Sequence, residues 1–159
     1  MADIFSREKR SEIMSHIRSK NTKAELIAFR YLRKKGVYFQ KHYSRIAGKP
    51  DIALPRKKKV VFIHGDFWHG RNRGRTVKSN VAYWSAKIAG NVLRDKKQRK
   101  LLKLAGWDVL VVWESDLLRK ATRDKTLLAV ASFVVGKSNA EQSNWCERLL
   151  RDFLTNTQV

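Results

Sequence analysis

Acidic residues are scarce in this chain: 14 Asp and Glu stand against 35 Lys and Arg among 159 residues, a formal net charge of +21. Such an excess destabilises a compact fold through self-repulsion unless a polyanion offsets it, so nucleic acid is the leading partner on charge alone. Cysteine is rarer still. Cys146 stands alone, which excludes an internal disulfide framework and a multi-cysteine zinc site and fits a reducing compartment. No apolar run approaches the roughly 18 residues that suggest a spanning helix, and the start (Met1-Ala2-Asp3-Ile4-Phe5) lacks a basic-then-apolar signal. The expectation is a cytoplasmic, nucleoid-associated protein with no membrane partner. Proline occurs only at Pro50 and Pro55, bracketing one short segment, and there is no internal repeat or low-complexity tract. What is present is enough apolar residue for one ordinary core. Charge does not separate an enzyme from a packaging protein or a membrane-surface binder, so the sites must decide.

The pattern predicts one domain with decorations: a helical arm over 1–20, a core over 21–136 and a C-terminal helix over 137–159 that packs on the core. Residues 6–19 carry only Ile13, Met14 and Ile17 on one side, a thin apolar stripe suited to an arm that docks on something. Thr22-x-x-Glu25 before Leu26, Phe29 and Leu32 reads as a capping box opening a helix that Gly36 ends. Val37 to Tyr43, Asp51 to Leu54 and Val60 to Ile63 read as strands, the last buried on both faces. Residues 64–79 fit neither period and form a long loop. A basic helix follows from Asn80 to about Ala105, capped by Ser79 and divisible near Gly90, and leads to a buried strand over Asp108–Trp113. One or two short helices fit residues 115–135, and Trp145, Leu149 and Phe153 place a stripe on the C-terminal helix. The order is two helices, three strands, a helix and a strand.

Asp51 opens one strand and the next ends in Ile63-His64-Gly65-Asp66-Phe67-Trp68-His69, so a carboxylate, a strand-end carbonyl and two imidazoles can reach one sheet edge. Phosphodiester hydrolysis needs such groups: oxygen ligands for Mg²⁺, a base for water, and positive charge for the developing phosphorane. Asp51 would serve equally as a turn residue after proline. The adjacent Phe67 and Trp68 suit stacking or wedging between bases, or fold back as a small satellite core.

Several segments, in order, resemble the very-short-patch repair (Vsr) DNA mismatch endonucleases. They are Arg10-Ser11-x-x-Met14-x-x-Ile17, Lys20-Asn21-Thr22-x-x-Glu25, Gly48-x-Pro50-Asp51, Phe62-x-His64-Gly65-x-Phe67-Trp68-His69, Trp84-x-x-Lys87-Ile88-x-x-Asn91-x-x-Arg94-Asp95 and Gly106-Trp107-x-Val109-x-x-Val112-Trp113-Glu114. The resemblance runs from about residue 10 to about 116. It implies an α/β, restriction-endonuclease-like fold, a mixed central β-sheet flanked by helices, and Mg²⁺-dependent nicking beside the thymine of a T:G mismatch left by deaminated 5-methylcytosine. Carried over residue by residue, Asp51 is a catalytic metal ligand with the main-chain carbonyl of Ile63, and two Mg²⁺ ions are implied once DNA is bound. His69 is the general base or water-orienting group, Glu25 orients it and His64 contacts the phosphate. The capping box alone also explains Glu25. Phe67, Trp68 and Trp84 resemble the wedge that enters beside the mismatch, with Met14 pressing from the minor groove. Packing against Ile88 is the other use for Trp84. Asn91, Lys87, Arg71, Arg73 and Arg75 complete the expected DNA contacts, joined by Lys78 and by Lys96 to Lys103 on the helix, where a solvated face is the alternative. The implied partners are mismatched double-stranded DNA, a cytosine-5 methyltransferase and repair proteins, and the implied state is a monomer.

The chain departs from that family at the structural zinc. The matching positions hold Asp66, Arg71, Arg73 and Ser115, which cannot rebuild a Cys and His site, so no zinc is expected. Asp66 is expected to pair with Arg71 or Arg73 as a metal-free staple. The acidic-x-Lys element usual in restriction-type nucleases is also missing from Val60 to Ile63. Two further readings stay open: the same nicking fold with different recognition, for another mismatch, a paired site or foreign DNA, and an inactive basic DNA-binding module.

Overall fold

The computed structural model describes residues 20–71 and 80–136, together with Lys9 and Glu12. Apart from Lys9, Glu12 and Lys20, the expected N-terminal arm with Met14 lies outside the described residues, as do the loop positions Arg73, Arg75 and Lys78 and the C-terminal helix with Cys146.

Thr22 starts the core. Its hydroxyl accepts the Glu25 N–H at 3.3 Å, while the Glu25 carboxylate accepts the Asn21 N–H at 2.8 Å and the Thr22 hydroxyl at 3.0 Å, the reciprocal satisfaction expected of a capping box. Helix α1, Lys23–Lys34, follows and buries Ala24, Ala28, Phe29 and Leu32. Gly36, at φ +71°, takes the left-handed turn beyond its end. The strand expected over 37–43 shrinks to β1, Gln40–Lys41. Its edge position is one reason, with Tyr38 87% exposed, and the backbone of His42 is the other, since φ of +47° cannot continue a strand.

The sheet then builds in order. Strand β2, Ile52–Leu54, pairs antiparallel with β1 and with β3, Lys59–His64, the two joined through a 3₁₀ turn at Pro55–Lys57. Helix α2, Val81–Leu104, crosses over to β4, Asp108–Trp113, which runs parallel to β3 in register from Lys59 opposite Asp108 to His64 opposite Trp113. Helices α3, Glu114–Leu118, and α4, Lys120–Val135, complete the described chain. The result is an α/β architecture with a mixed four-stranded sheet in the order β1-β2-β3-β4, as the restriction-endonuclease-like expectation requires. Helix α2 is continuous through Gly90, which points into open space and has no reason to break it, and its N-cap position is Asn80 rather than Ser79.

Side-chain alternation along β3 feeds two cores. Val61 packs with Ile52 and Val112 under α1, α3 and α4, where Phe29, Leu32, Leu117, Val130 and Val134 are buried. Val60 and Phe62 face the other way, with Ala53 and Leu102. Leu102 is the one buried residue among the 24 of α2, so that helix is anchored near its C-terminal end. Counting back from Leu102 by four, three and four gives Gln98, Asp95 and Asn91, a polar stripe on the same side.

Candidate active site

The sheet brings its reactive residues to one edge. Asp51 immediately precedes β2, and because β2 is antiparallel to β3 that position lies beside the C-terminal end of β3, where His64 is the last residue. The Asp51 carboxylate accepts the Ile63 N–H at 2.7 Å, which locks it against β3. Gly48 permits this approach: it sits at φ +79°, and a Cβ there would come within 3.0 Å of the Phe62 ring and 3.1 Å of Gln98 Oε1. A cavity of about 530 Å³ opens at this edge, walled by Glu25, Asp51, His64, Trp68, His69 and Asp95 among others.

Glu25 and Asp51 form a close carboxylate pair. Burial first, and then the charge of Glu25, push the Asp51 carboxyl up to about 7, against the lowering effect of the Ile63 hydrogen bond. Neither carboxylate has a Lys or Arg ion pair among the described residues. The side chain beside both is His42, whose Nε2 lies 3.4 Å from Glu25 and whose Nδ1 lies 3.8 Å from Asp51. One ligand atom from each of Glu25, His42 and Asp51 falls within 4.8 Å of the others, and the same holds for His64, His69 and Asp95. Two desolvated anions without a fixed cation fit a divalent metal, which would relieve the repulsion that raises Asp51.

His69 is oriented differently from the expectation. Its Nδ1 is 2.6 Å from Asp95 of α2, not paired with Glu25, which caps α1 and faces His42 and Asp51 instead. An ionised carboxylate only accepts, so Nδ1 carries the proton and Nε2 keeps its lone pair for the cavity. The His64 ring stacks on His69 with centroids 3.8 Å apart and planes at 16°. Burial and the neighbouring His69 hold His64 down at about 4, so it is neutral near pH 7. Sequence reasoning missed two partners, His42 and the Asp95 to His69 pair. Asp95 is the lone acidic residue of a basic helix, and that oddity was the available signal.

Phe67, Trp68 and Trp84 come together at the rim, with centroids 5.0 Å apart for Phe67 and Trp68, 5.3 Å for Phe67 and Trp84, and 6.0 Å for Trp68 and Trp84. Tyr83 adds an edge contact to Trp84 at 5.3 Å. The Lys87 ammonium lies 5.4 Å from the Trp84 ring and 5.8 Å from Trp68, and the Asn91 amide donates to the Trp68 carbonyl at 3.1 Å. Lys87 and Asn91 therefore brace this cluster. The wedge and satellite-core readings meet here: the three rings pack on one another, yet all stay half-buried.

Three of the four positions that match the family's zinc ligands converge through side-chain hydrogen bonds. Asp66 accepts the Ser115 N–H at 2.9 Å and the Ser115 hydroxyl at 2.6 Å, and Arg71 reaches Ser115 Oγ at 2.9 Å, Asp116 at 2.9 Å and Asp66 at 3.5 Å. The side chain of Arg71, expected on DNA, is thus engaged by the staple, and hydrogen bonding to Asp116 raises its already high pKa. Asp66→Ala strands the Ser115 donors and removes one of the three Arg71 partners, and should cost about 2 kcal/mol, several degrees of melting temperature. Thermal unfolding checks this, and an unchanged melting curve counts against the staple.

The family described as DNA mismatch endonuclease Vsr matches residues 2–75. The chain is 46% identical over 123 residues to the type II nicking enzyme V.NmeAIP of Neisseria meningitidis serogroup A, covering 76% of this chain and 88% of that protein. It is 40% identical over 119 residues to the type II nicking enzyme V.XorIIP of Xanthomonas oryzae pv. oryzae, covering 74% and 88%. To the DNA mismatch endonuclease Vsr of Escherichia coli (strain K12) it is 32% identical over 119 residues, covering 74% and 76%.

Proposed function

The chain belongs to the DNA mismatch endonuclease Vsr family, and from that premise we propose that it nicks DNA beside the thymine of a T:G mismatch in a Mg²⁺-dependent reaction. It is a DNA nicking endonuclease, and its substrate is DNA. The mismatch and the choice of Mg²⁺ are our reading. The observation that carries it is the placement of a water-activating His69–Asp95 pair and the Asp51 carboxylate on the walls of one cavity, with an aromatic cluster at the rim.

Asp51 and the Ile63 main-chain carbonyl would hold the cation, which would supply Lewis-acid polarisation of the scissile phosphate and offset the charge that develops on it. His69 Nε2 takes a proton from the attacking water, whose oxygen forms the new P–O bond as one bridging P–O bond breaks, and the departing sugar oxygen keeps that electron pair and takes a proton from solvent. Asp95 keeps the ring in the required tautomer and stabilises the imidazolium. His64, neutral, offers an N–H to a phosphate oxygen and fixes the plane of His69 by stacking. Phe67, Trp68 and Trp84 wedge into the stack. Unstacking costs a few kcal/mol and is cheapest at a mismatch, so the wedge itself discriminates. We place the protein in the cytoplasm at the nucleoid, as a monomer working after a cytosine-5 methyltransferase. No helix among the described residues is long and apolar enough to cross a membrane.

Trp68→Ala should lower the T:G preference about tenfold, since a stacked base is worth about 1–3 kcal/mol. Equal preference in the variant and the native protein removes the wedge from the account. The nick itself is tested with end-labelled strands and metal-stripped protein. Cutting of the thymine strand only, and only after Mg²⁺ is restored, supports the reading. Cutting of fully paired DNA moves the assignment to a nicking enzyme of other specificity, and binding without cutting leaves a DNA-binding module.

A further inference from the structure

Asp95 and Arg99 stand four residues apart on α2, the spacing at which an acidic and a basic side chain on a helix ordinarily pair. They do not pair here. The Asp95 carboxylate is turned to His69 at 2.6 Å, and the one hydrogen bond of the Arg99 side chain is a long one, from Nε to the Asp95 main-chain carbonyl at 3.4 Å. Among the described residues no carboxylate pairs with the Arg99 guanidinium, and its two Nη groups have no acceptor. The engagement of Asp95 by His69 therefore leaves its helical neighbour without a counterion.

The place of the missing anion is set by the cavity. Arg99 is half-buried and lines the same wall as His64, His69 and Asp95. Its charge reaches the His64 ring, adding to burial and His69 in holding that imidazole neutral. The other cations of this stretch, Lys96, Lys97, Lys100 and Lys103, are exposed, and so is Lys49, the second basic residue of the cavity wall. Water and salt screen those charges, whereas a half-buried cation without an anion is unfavourable. The guanidinium fork presents parallel N–H donors matched to two oxygens of one phosphate.

We propose that Arg99 is a catalytic residue that grips two non-bridging oxygens of the scissile phosphate and stabilises the charge that builds on them as water attacks. The inference rests on the reading of the His69–Asp95 cavity as the nicking site and adds to it a cation that belongs to the chain itself. One turn of α2 then carries both Asp95, which holds the base, and Arg99, which holds the phosphate, so the docking of this helix at Leu102 positions the two together. Neutral His64 brings a donor but no charge. A contact that strengthens as negative charge develops shows mainly in the rate of the bound complex rather than in affinity.

The test compares the native chain, Arg99→Gln and Arg99→Lys in single-turnover nicking of a T:G duplex at saturating protein and Mg²⁺. Arg99→Gln should lower the saturated rate about 100-fold or more, and Arg99→Lys should recover part of it, because an ammonium keeps the charge and loses the fork. Metal-free DNA binding gives a readout apart from turnover. A methylphosphonate in place of the scissile phosphate removes its charge; it should weaken binding by the native chain several-fold and leave binding by Arg99→Gln unchanged, while the same replacement one phosphate away should weaken both alike. Equal weakening of both proteins at the scissile position overturns the proposal, as does a native saturated rate in Arg99→Gln. Without DNA, Arg99→Gln should melt no lower than the native chain, and a loss of several degrees would make Arg99 a structural residue instead. His69→Ala separates the two layers. If it nicks at the native rate, the cavity is not the nicking site and the underlying reading fails. If it loses activity while both Arg99 variants keep theirs, only the role of Arg99 fails.

Discussion

Asp51→Asn should abolish nicking and, at pH 8 without metal, raise the melting temperature. The first effect follows from the loss of an ionised ligand: the cation's stabilisation of transition-state charge is worth several kcal/mol, and each 1.36 kcal/mol is tenfold in rate, so a fall of about 10³-fold or more is expected. The second follows from burial. The native state holds the Asp51 carboxyl up at about 7, from an ordinary value of 3.8, chiefly by desolvation and then by Glu25. Below the unfolded value both states are protonated and Asp51 contributes nothing. Between the two values the native state keeps a proton that the unfolded chain releases, so stability falls as pH rises, and above about 7 the full penalty applies. That penalty is roughly 2–4 kcal/mol, and Asn does not incur it. The stability gap between variant and native protein should therefore open across the interval from about 4 to about 7 and close again in acid. His64 works in the opposite sense: held at about 4, it adds stability as pH rises towards its ordinary 6.5, but equally in both proteins, so it cancels. Melting curves over this range check the claim, and a gap that does not change with pH contradicts it.

His69→Ala is the second large effect. Removal of a positioned general base costs about 10²–10⁴-fold, and nicking at saturating metal should fall by that much while DNA affinity barely changes. Asp95→Asn should follow it with a loss of about 10–100-fold, because the amide cannot stabilise the imidazolium. Glu25 behaves differently. If it served His69, Glu25→Gln would copy Asp95→Asn at every metal concentration. Beside Asp51, it should instead raise the metal concentration needed and leave the saturated rate nearer native. Single-turnover nicking across a metal titration separates these outcomes.

The parts of the fold that were legible in the sequence are those set by local chemistry. Thr22 and Glu25 announce their helix because a capping box satisfies its own donors, and Val60 to Phe62 announce a doubly buried strand by continuous apolar character. Asp51, His64 and His69 could be placed at one sheet edge because each sits at a strand end or just beyond it. What escaped depends on long-range placement. The end of β1 is set by the left-handed turn at His42, which its residue type does not advertise. The Asp95 to His69 contact spans α2, and only the docking of Leu102 fixes which side of that helix meets the cavity. Glu25 was expected to orient His69 on the family resemblance alone, and nothing local in the sequence shows that the neighbour across from it is His42 and Asp51. The staple was half legible: the absence of cysteine pointed to Asp66 and Arg71, whereas Ser115 and Asp116 enter only because β4 ends beside β3.

The central claim is that one cavity cuts a single strand and does so where the base stack is weakened. It is tested most directly by single-turnover nicking in Mg²⁺ of duplexes identical except for one pair, T:G, T:A or C:G. The account predicts cleavage of the thymine strand at T:G at least about 100-fold faster than at either paired step, as a few kcal/mol of unstacking difference requires. Equal rates on all three duplexes would contradict it.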